Sequence, residues 1–240
     1  MDKSKQRLKT LTWREKAKKK AALEAVKHVK DGFTVGLGSG STVAYAFPEI
    51  GKRIKNEGLK VYGVPTSYQA FMLATKYKIP TATLDEHPKL DLAIDGADQI
   101  DQSLNLIKGM GGALLREKIV AAAAKQFIIV ADKSKMTDRL GKNQRVPIEV
   151  LPFAFGMVMS RMREMKGKPF LREGKDKVGP VITDNGNFIV EVDFGPIKDP
   201  MELENRLKSI SGVIETGLFI GMADIVYIGT STTVEVLKRK

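Results

Sequence analysis

The spacing of hydrophobic positions changes several times along this chain, and the changes divide it. From Trp13 to Val29, apolar residues fall at Ala17, Ala21, Ala25 and Val29, with Ala22, Leu23 and Val26 between them, which is the spacing of a helical face. An Asp-Gly turn then leads into a short apolar run, Phe33 to Leu37, a glycine loop within "VGLGSGST", and a helix expected to start near Ser41 or Thr42. "KVYGVPTS" reads as the next strand and "YQAFMLATKY" as its helix. "LDLAIDGAD" is a strand ending in acids, "GALLREKIVAAAAK" a helix, and "QFIIVADKSK" a strand running into a polar loop. Strand–loop–helix units in series predict a parallel sheet with crossover helices.

The pattern shifts near residue 140. "RVPIEVLP" reads as a strand and "FAFGMVMSRMREMK" as an amphipathic helix. "KPFLRE" and "NFIVEVDF" read as strands, with the Asn-Gly of "DNGN" marking a tight turn between them. "DPMELENRLKSI" has an Asp cap, a Pro and then a helix, and "VIETGLFIG" closes the series. This β-α-β-β-α-β order is that of a ferredoxin-like split unit. "DIVYIGTST" resembles the earlier buried strands and is expected to return to the first sheet. The fold class is therefore α/β: a Rossmann-like parallel-sheet domain, residues 1–140 plus 221–240, interrupted by a small ferredoxin-like α+β domain, residues 141–220.

Composition narrows the function. The 240 residues are 42% hydrophobic, enough for a sizeable core, and no apolar run approaches the ~18–20 residues of a membrane span. Without an apolar signal-like start and without cysteine, the chain is expected in the cytoplasm, with no thiolate chemistry and no zinc–cysteine site. The formal net charge of +12 is concentrated at one end, because residues 1–30 hold 11 Lys/Arg against three acids. Such an arm suits non-specific polyanions or a phosphorylated substrate, and equally a solvated helix face. No RNA-binding aromatic motif accompanies it, so no specific nucleic-acid partner is expected.

Two segments carry candidate chemistry. In the glycine loop, Ser39, Gly40, Ser41 and Thr42 offer backbone amides and hydroxyls at a helix start, which favours a phosphate. The loop lacks the lysine of a nucleoside-triphosphate P-loop and departs from G-x-G-x-x-G at Ser41. A dinucleotide site, a methyltransferase loop and a plain turn all stay open. The second segment is "IDGADQIDQSLNLIKGMGGALLREKIV". Asp95 and Asp98 sit where a parallel strand ends, the place where open α/β sheets bind ligands. They could chelate a cation, although His28 and His87 form no ligand motif with them, or simply make a solvated turn. Alternatively, Lys108 with the amides of Gly109, Gly111 and Gly112 suits a developing oxyanion, and Glu117 a proton transfer alpha to a carbonyl. If the helix begins near Gly111, Glu117 stands about six residues in, roughly 9 Å along the axis at ~1.5 Å per residue.

Taken in order, "GLGSGST", "DGAD", "KGMGGALLREK" and "VADKSK" resemble the motifs of type A ribose-5-phosphate isomerases over nearly the whole chain. The resemblance implies a cofactor-free, metal-free interconversion of D-ribose 5-phosphate and D-ribulose 5-phosphate through a cis-enediol, in the non-oxidative pentose phosphate pathway. It implies Glu117 as the base and Lys108, with glycine-loop amides, as the enediolate's stabiliser. Asp95 and Asp98 would contact sugar hydroxyls, Asp95 taking part in ring opening. Ser39, Gly40, Ser41, Thr42, Gly96, Ala97, Gly109, Met110, Gly111, Lys135 and Lys18 would bind substrate. A homodimer or homotetramer is implied, with the pentose 5-phosphate as small-molecule partner.

Three positions depart from the family's usual motifs. Ser39 replaces Thr and keeps the hydroxyl. Gln99 replaces Glu after "DGAD" and removes a charge. Met110 stands at a usual glycine, where a positive φ would cost about 1 kcal/mol or more. A sugar-phosphate-binding regulator on the same fold, impaired in turnover, is the alternative that Gln99 and Met110 would mark.

Overall fold

The computed structural model describes residues 11–175 and 178–239. Alternating side chains of its central strands divide between two helical layers, which is why those strands are apolar throughout. The elements run α1 (Trp13–Val26), β1 (Thr34–Leu37), α2 (Ala46–Glu57), β2 (Tyr62–Pro65), α3 (Tyr68–Lys76) and β3 (Leu92–Gly96). Two short strands follow, β4 (Gln99–Ile100) and β5 (Leu106–Ile107), then α4 (Leu114–Ala123) and β6 (Phe127–Asp132). The second series is β7 (Val146–Val150), α5 (Phe155–Glu164), β8 (Lys168–Leu171), β9 (Phe188–Asp193), α6 (Pro200–Lys208) and β10 (Val213–Thr216). The chain continues through β11 (Leu218–Phe219), β12 (Ile225–Gly229) and β13 (Val234–Lys238).

The main sheet has the order β13-β12-β6-β3-β1-β2. All of its pairings are parallel except that of β13 with β12. Leu92, Ile94, Ile128, Val130, Ile225 and Tyr227 pack toward α1, α2 and α3. Ala93, Ile129, Val226 and Ile228 pack with Val120 and Ala121 of α4 on the opposite side. Covering both faces is what a parallel sheet requires. The chain goes from β1 to β2 on one flank and then crosses back to β3 on the other. The carboxyl ends of β1 and β3 therefore diverge at a switch point, where such sheets form a ligand crevice.

The second sheet has the antiparallel order β10-β7-β9-β8, the ferredoxin-like arrangement expected of β-α-β-β-α-β. Val146, Ile148, Val150, Val190 and Val192 face α5 and α6 through Val158, Met162 and Leu207. The alternate residues Glu149, Glu191 and Arg172 bear polar contacts instead. β4, β5 and β11 form a third, three-stranded sheet. "VIETGLFIG", read as one strand, is divided at Gly217. The Gly217 amide donates to Pro147 on β7, while its carbonyl accepts from Lys108 after β5. One residue thus stitches the second and third sheets together.

Two helix starts differ from expectation. After the glycine loop comes a single 3₁₀ turn, Val43–Tyr45, and the α-helix begins only at Ala46. Thr42 adopts helical backbone angles and gives no side-chain cap, so neither Ser41 nor Thr42 opens the α-helix directly. The other helix, α4, starts at Leu114, later than Gly111. Gly109 and Gly112 have φ of 106° and 79°, and the Gly112 amide closes a turn onto the Gly109 carbonyl, which delays the helix. Among the described residues no helix is long and apolar enough to cross a membrane.

Candidate active site

Beyond the ends of β1 and β3 lies a cleft lined by Lys18, Ser39, Gly40, Ser41, Thr42, Gly96, Ala97, Asp98, Lys108, Gly109, Gly111, Glu117 and Lys135. These come from α1, the β1 loop, the β3 end, the loop before α4, α4 itself and the turn after β6. All the expected site residues but Asp95 and Met110 line it.

The floor is ionic and almost sealed from water. The Lys108 ammonium stands 2.9 Å from Asp95 Oδ2 and 3.3 Å from Glu117 Oε2, with all three side chains 5% exposed or less. It also donates to the Gly96 carbonyl and lies 5.3 Å from the centre of the Phe219 ring. Burial opposes its charge, but Asp95, Glu117 and Asp98 outweigh that and hold Lys108 above the ordinary lysine range. For Glu117, burial and then the negative charge of Asp95 push the carboxyl up to about 8, against the pull of Lys108. Burial also raises Asp95, opposed by Lys108 and by the amides of Gly96 and Ser39. The late start of α4 puts Glu117 in its first turn, nearer the crevice than the six-residue estimate implied.

Asp95 is held beneath the cleft. Its Oδ1 accepts from the Ser39 amide at 3.1 Å and the Gly96 amide at 2.7 Å, and its Oδ2 faces Lys108. Oδ2 has that ion pair but no hydrogen-bond partner among the described residues, and Asp95 is buried and does not itself line the cleft. Gly38 is the residue that lets the carboxylate sit there, since a Cβ would lie 2.2 Å from Asp95 Oδ1. Asp98 is the aspartate at the cleft surface, and its Oδ2 accepts the Met110 amide at 2.9 Å.

Met110 turns away from the cleft. Its side chain is half exposed, and its Sδ receives a hydrogen bond from Gln144 at 3.4 Å. The residue is not among those with positive φ, so the backbone strain expected of a methionine at a glycine position is absent. Nor is the loop uniformly free. The amides of Met110 and Gly112 are bound to Asp98 and the Gly109 carbonyl. Gln99, at the other departure, fits its place: its amide donates to the Lys142 carbonyl at 2.8 Å and accepts from Gly141 at 2.8 Å. Asp101 caps its own turn by accepting from Ser103 and Asn105.

The cleft lining also carries cations and hydroxyls. Lys18 Nζ donates to Ser41 Oγ at 3.0 Å, and Lys135 and Thr42 also line the cleft. Other basic residues of α1 are engaged elsewhere: Lys20 binds the carbonyls of Ser231 and Thr232, and Lys27 pairs with Glu24. Lys3, Lys5, Arg7 and Lys9 lie outside the described residues. Among the described residues no group of three or more His, Asp or Glu is placed to hold a metal ion.

Sequence inspection missed the residues that brace the loops. Ser39 Oγ is bonded to both Thr66 and Ser67, and the Gly40 amide donates to Gln69 Oε1 at 2.8 Å. The polar run "TSYQ" at the end of β2 was the available signal. Lys118, beside Glu117, is paired with Glu204 at 2.7 Å and Glu215 at 2.9 Å, fixing α4 against β10 and α6. The site thus combines a buried carboxylate whose proton affinity is raised by burial and by Asp95, an ammonium beside it, and further cations and hydroxyls suited to a phosphate.

Comparisons with known proteins agree in direction. The family model for ribose 5-phosphate isomerase A (phosphoriboisomerase A) matches residues 62–233. A ribose-5-phosphate isomerase A of Methanosarcina acetivorans is 53% identical over 212 residues, covering 88% of this chain and 89% of its own. The solved ribose 5-phosphate isomerase A of Methanocaldococcus jannaschii superposes with a TM-score of 0.90 at 47% identity, over 93% of this chain and 99% of that one. A D-ribose-5-phosphate isomerase solved in complex with phospho-erythronic acid gives a TM-score of 0.92 at 46% identity, over 94% and 99%.

Proposed function

Since the chain belongs to the ribose 5-phosphate isomerase A family, we propose a division of labour among its cleft residues. The protein is an aldose–ketose isomerase that interconverts D-ribose 5-phosphate and D-ribulose 5-phosphate. In our reading Glu117 removes the proton from C2 of the open-chain aldose and returns it to C1, passing through a cis-enediolate. Lys108 stands beside the oxygen on which charge develops. Asp98 meets the sugar hydroxyls and assists ring opening. Asp95 acts through Lys108, as its buried charge partner. Lys18, Ser41, Thr42 and Lys135 take the phosphate. Residues 1–140 with 221–240 would supply most of this site, and residues 141–220 would brace it.

The observation that carries this reading is the buried Glu117–Lys108 pair, 3.3 Å apart on the cleft floor. A base that must serve two adjacent carbons needs a proton affinity near working pH, and Glu117 is pushed up to about 8. The test is ketose formation from ribose 5-phosphate in chelator-treated buffer, with Glu117→Gln as control. Turnover by wild type and its loss in the variant are expected; equal activity in the two removes Glu117 from its role. We place the protein in the cytoplasm as a homodimer or homotetramer; light scattering tests the oligomeric state.

A further inference from the structure

Arg172, just after β8, reaches out of the second sheet to the loop that precedes α4. Its Nε donates to Glu191 Oε1 at 2.6 Å. Its Nη1 donates to the Gly109 carbonyl at 2.9 Å and to the Met110 carbonyl at 3.2 Å. The side chain is 12% exposed, and among the described residues its buried Nη2 has no hydrogen-bond partner. An unsatisfied buried donor costs about 1–3 kcal/mol, so this is not a contact that stability alone selects.

The consequence lies in the two peptide planes. In a trans peptide the carbonyl and the following N–H point in opposite directions, and among the described residues there are no cis bonds. Holding the Gly109 carbonyl turns the Met110 N–H toward Asp98, where it is accepted at 2.9 Å. Holding the Met110 carbonyl turns the Gly111 N–H the other way, away from the guanidinium. Gly111 lines the cleft, and among the described residues no acceptor takes its N–H. The charged donor also polarises the peptide it binds and strengthens the N–H at the far end.

We infer that Arg172, anchored by Glu191, is a positioning residue for the isomerisation, aiming the Gly111 N–H at the oxygen that becomes negative in the enediolate. The inference rests on the function proposed above. Arg172 does not line the cleft, so its effect passes through the Met110–Gly111 peptide.

The experiment compares wild type, Arg172→Met, Arg172→Lys and Glu117→Gln for kcat and KM with ribose 5-phosphate, and for binding of phospho-erythronic acid and inorganic phosphate. A mis-aimed oxyanion donor predicts kcat lowered about 10–100-fold with KM within about threefold. Phospho-erythronic acid, which carries an anionic carboxylate next to its sugar-like carbons, should lose affinity by a similar factor, while inorganic phosphate binds as in wild type. Wild-type kcat in Arg172→Met overturns the inference, as does equal weakening of both ligands, which marks general damage. If Arg172→Met does not fold, Arg172→Lys is judged by the same split. A normal Arg172→Met beside an inactive Glu117→Gln defeats this inference alone. An inactive wild type, or a fully active Glu117→Gln, defeats the function on which it rests.

Discussion

The Lys108 ammonium lies 3.3 Å from the Glu117 carboxylate, and each is at most 5% exposed. With Asp95 on the other side of the lysine at 2.9 Å, the floor of the cleft places two carboxylates around one cation. Two acids sharing one positive charge in a dry site favour keeping one proton. Burial and then the charge of Asp95 push the Glu117 carboxyl up to about 8, and burial raises Asp95 as well, so the proton belongs to the pair.

Activity should follow that proton. In its proposed role as base, Glu117 must be ionised in the free enzyme, so kcat/KM is expected to fall as pH drops below about 8. Glu117→Gln should lose about 10²–10⁴-fold in kcat, the usual worth of a general base. Initial rates across pH check both. A flat wild-type profile between about pH 6 and 9 would contradict the assignment.

Stability should move the other way. Glu117 binds its proton more tightly when folded, about 8 against an ordinary 4.5. Between those values the folded state holds more protons than the unfolded chain, so rising pH destabilises the fold. Glu117→Gln removes that dependence. Its melting temperature relative to wild type should rise steadily from about pH 5 to pH 8, as read by scanning calorimetry.

Removing the cation alone should be costly. Lys108→Met leaves Asp95 and Glu117 buried without it, and breaking a buried pair typically costs about 3–5 kcal/mol. Adding Asp95→Asn to Lys108→Met should recover a large part of the stability and none of the activity. A denaturant-based double-mutant cycle measures the coupling, and additive losses would show that the two side chains do not act together.

Gln99→Glu tests the opposite kind of site. Restoring the family's usual glutamate puts a carboxylate oxygen against the Lys142 carbonyl, which Gln99 now satisfies with an N–H at 2.8 Å. A loss of about 1–3 kcal/mol is expected, with kcat nearly unchanged. A gain in kcat would show instead that the missing charge matters to turnover.

The proposed phosphate contacts have their own signature. Lys18→Met should raise KM for ribose 5-phosphate while leaving any turnover of unphosphorylated ribose unchanged. Lys18 meets Ser41 at 3.0 Å, far from the Glu117 floor in role and chemistry. Equal effects on both sugars would argue against a phosphate contact.

The central strands were readable because burial on both faces leaves nearly unbroken apolar runs, as in Phe127–Asp132. The second unit was readable because its turns carry Asn-Gly and Asp-Pro at the right intervals. Local spacing also placed Glu117 and Lys108 on neighbouring segments. What it could not supply was contact at long range. Arg172 grips carbonyls 62 and 63 residues away, and backbone carbonyls have no letter in a sequence. The occupancy of individual amides escaped for the same reason: Gly40 gives its N–H to Gln69, 29 residues on. β13 was missed because "VEVLK" mixes charge with apolar residues, as a strand with one free side does.

That last strand has a consequence for handling the protein. β12 is apolar and buried along its length, and on one side only β13 completes its backbone hydrogen bonds. β13 presents Glu235 and Lys238 at the rim, where charged side chains discourage another chain from adding on. Shortening or displacing residues 234–238 would leave β12 as a bare template for intermolecular pairing, endangering solubility before it touches catalysis.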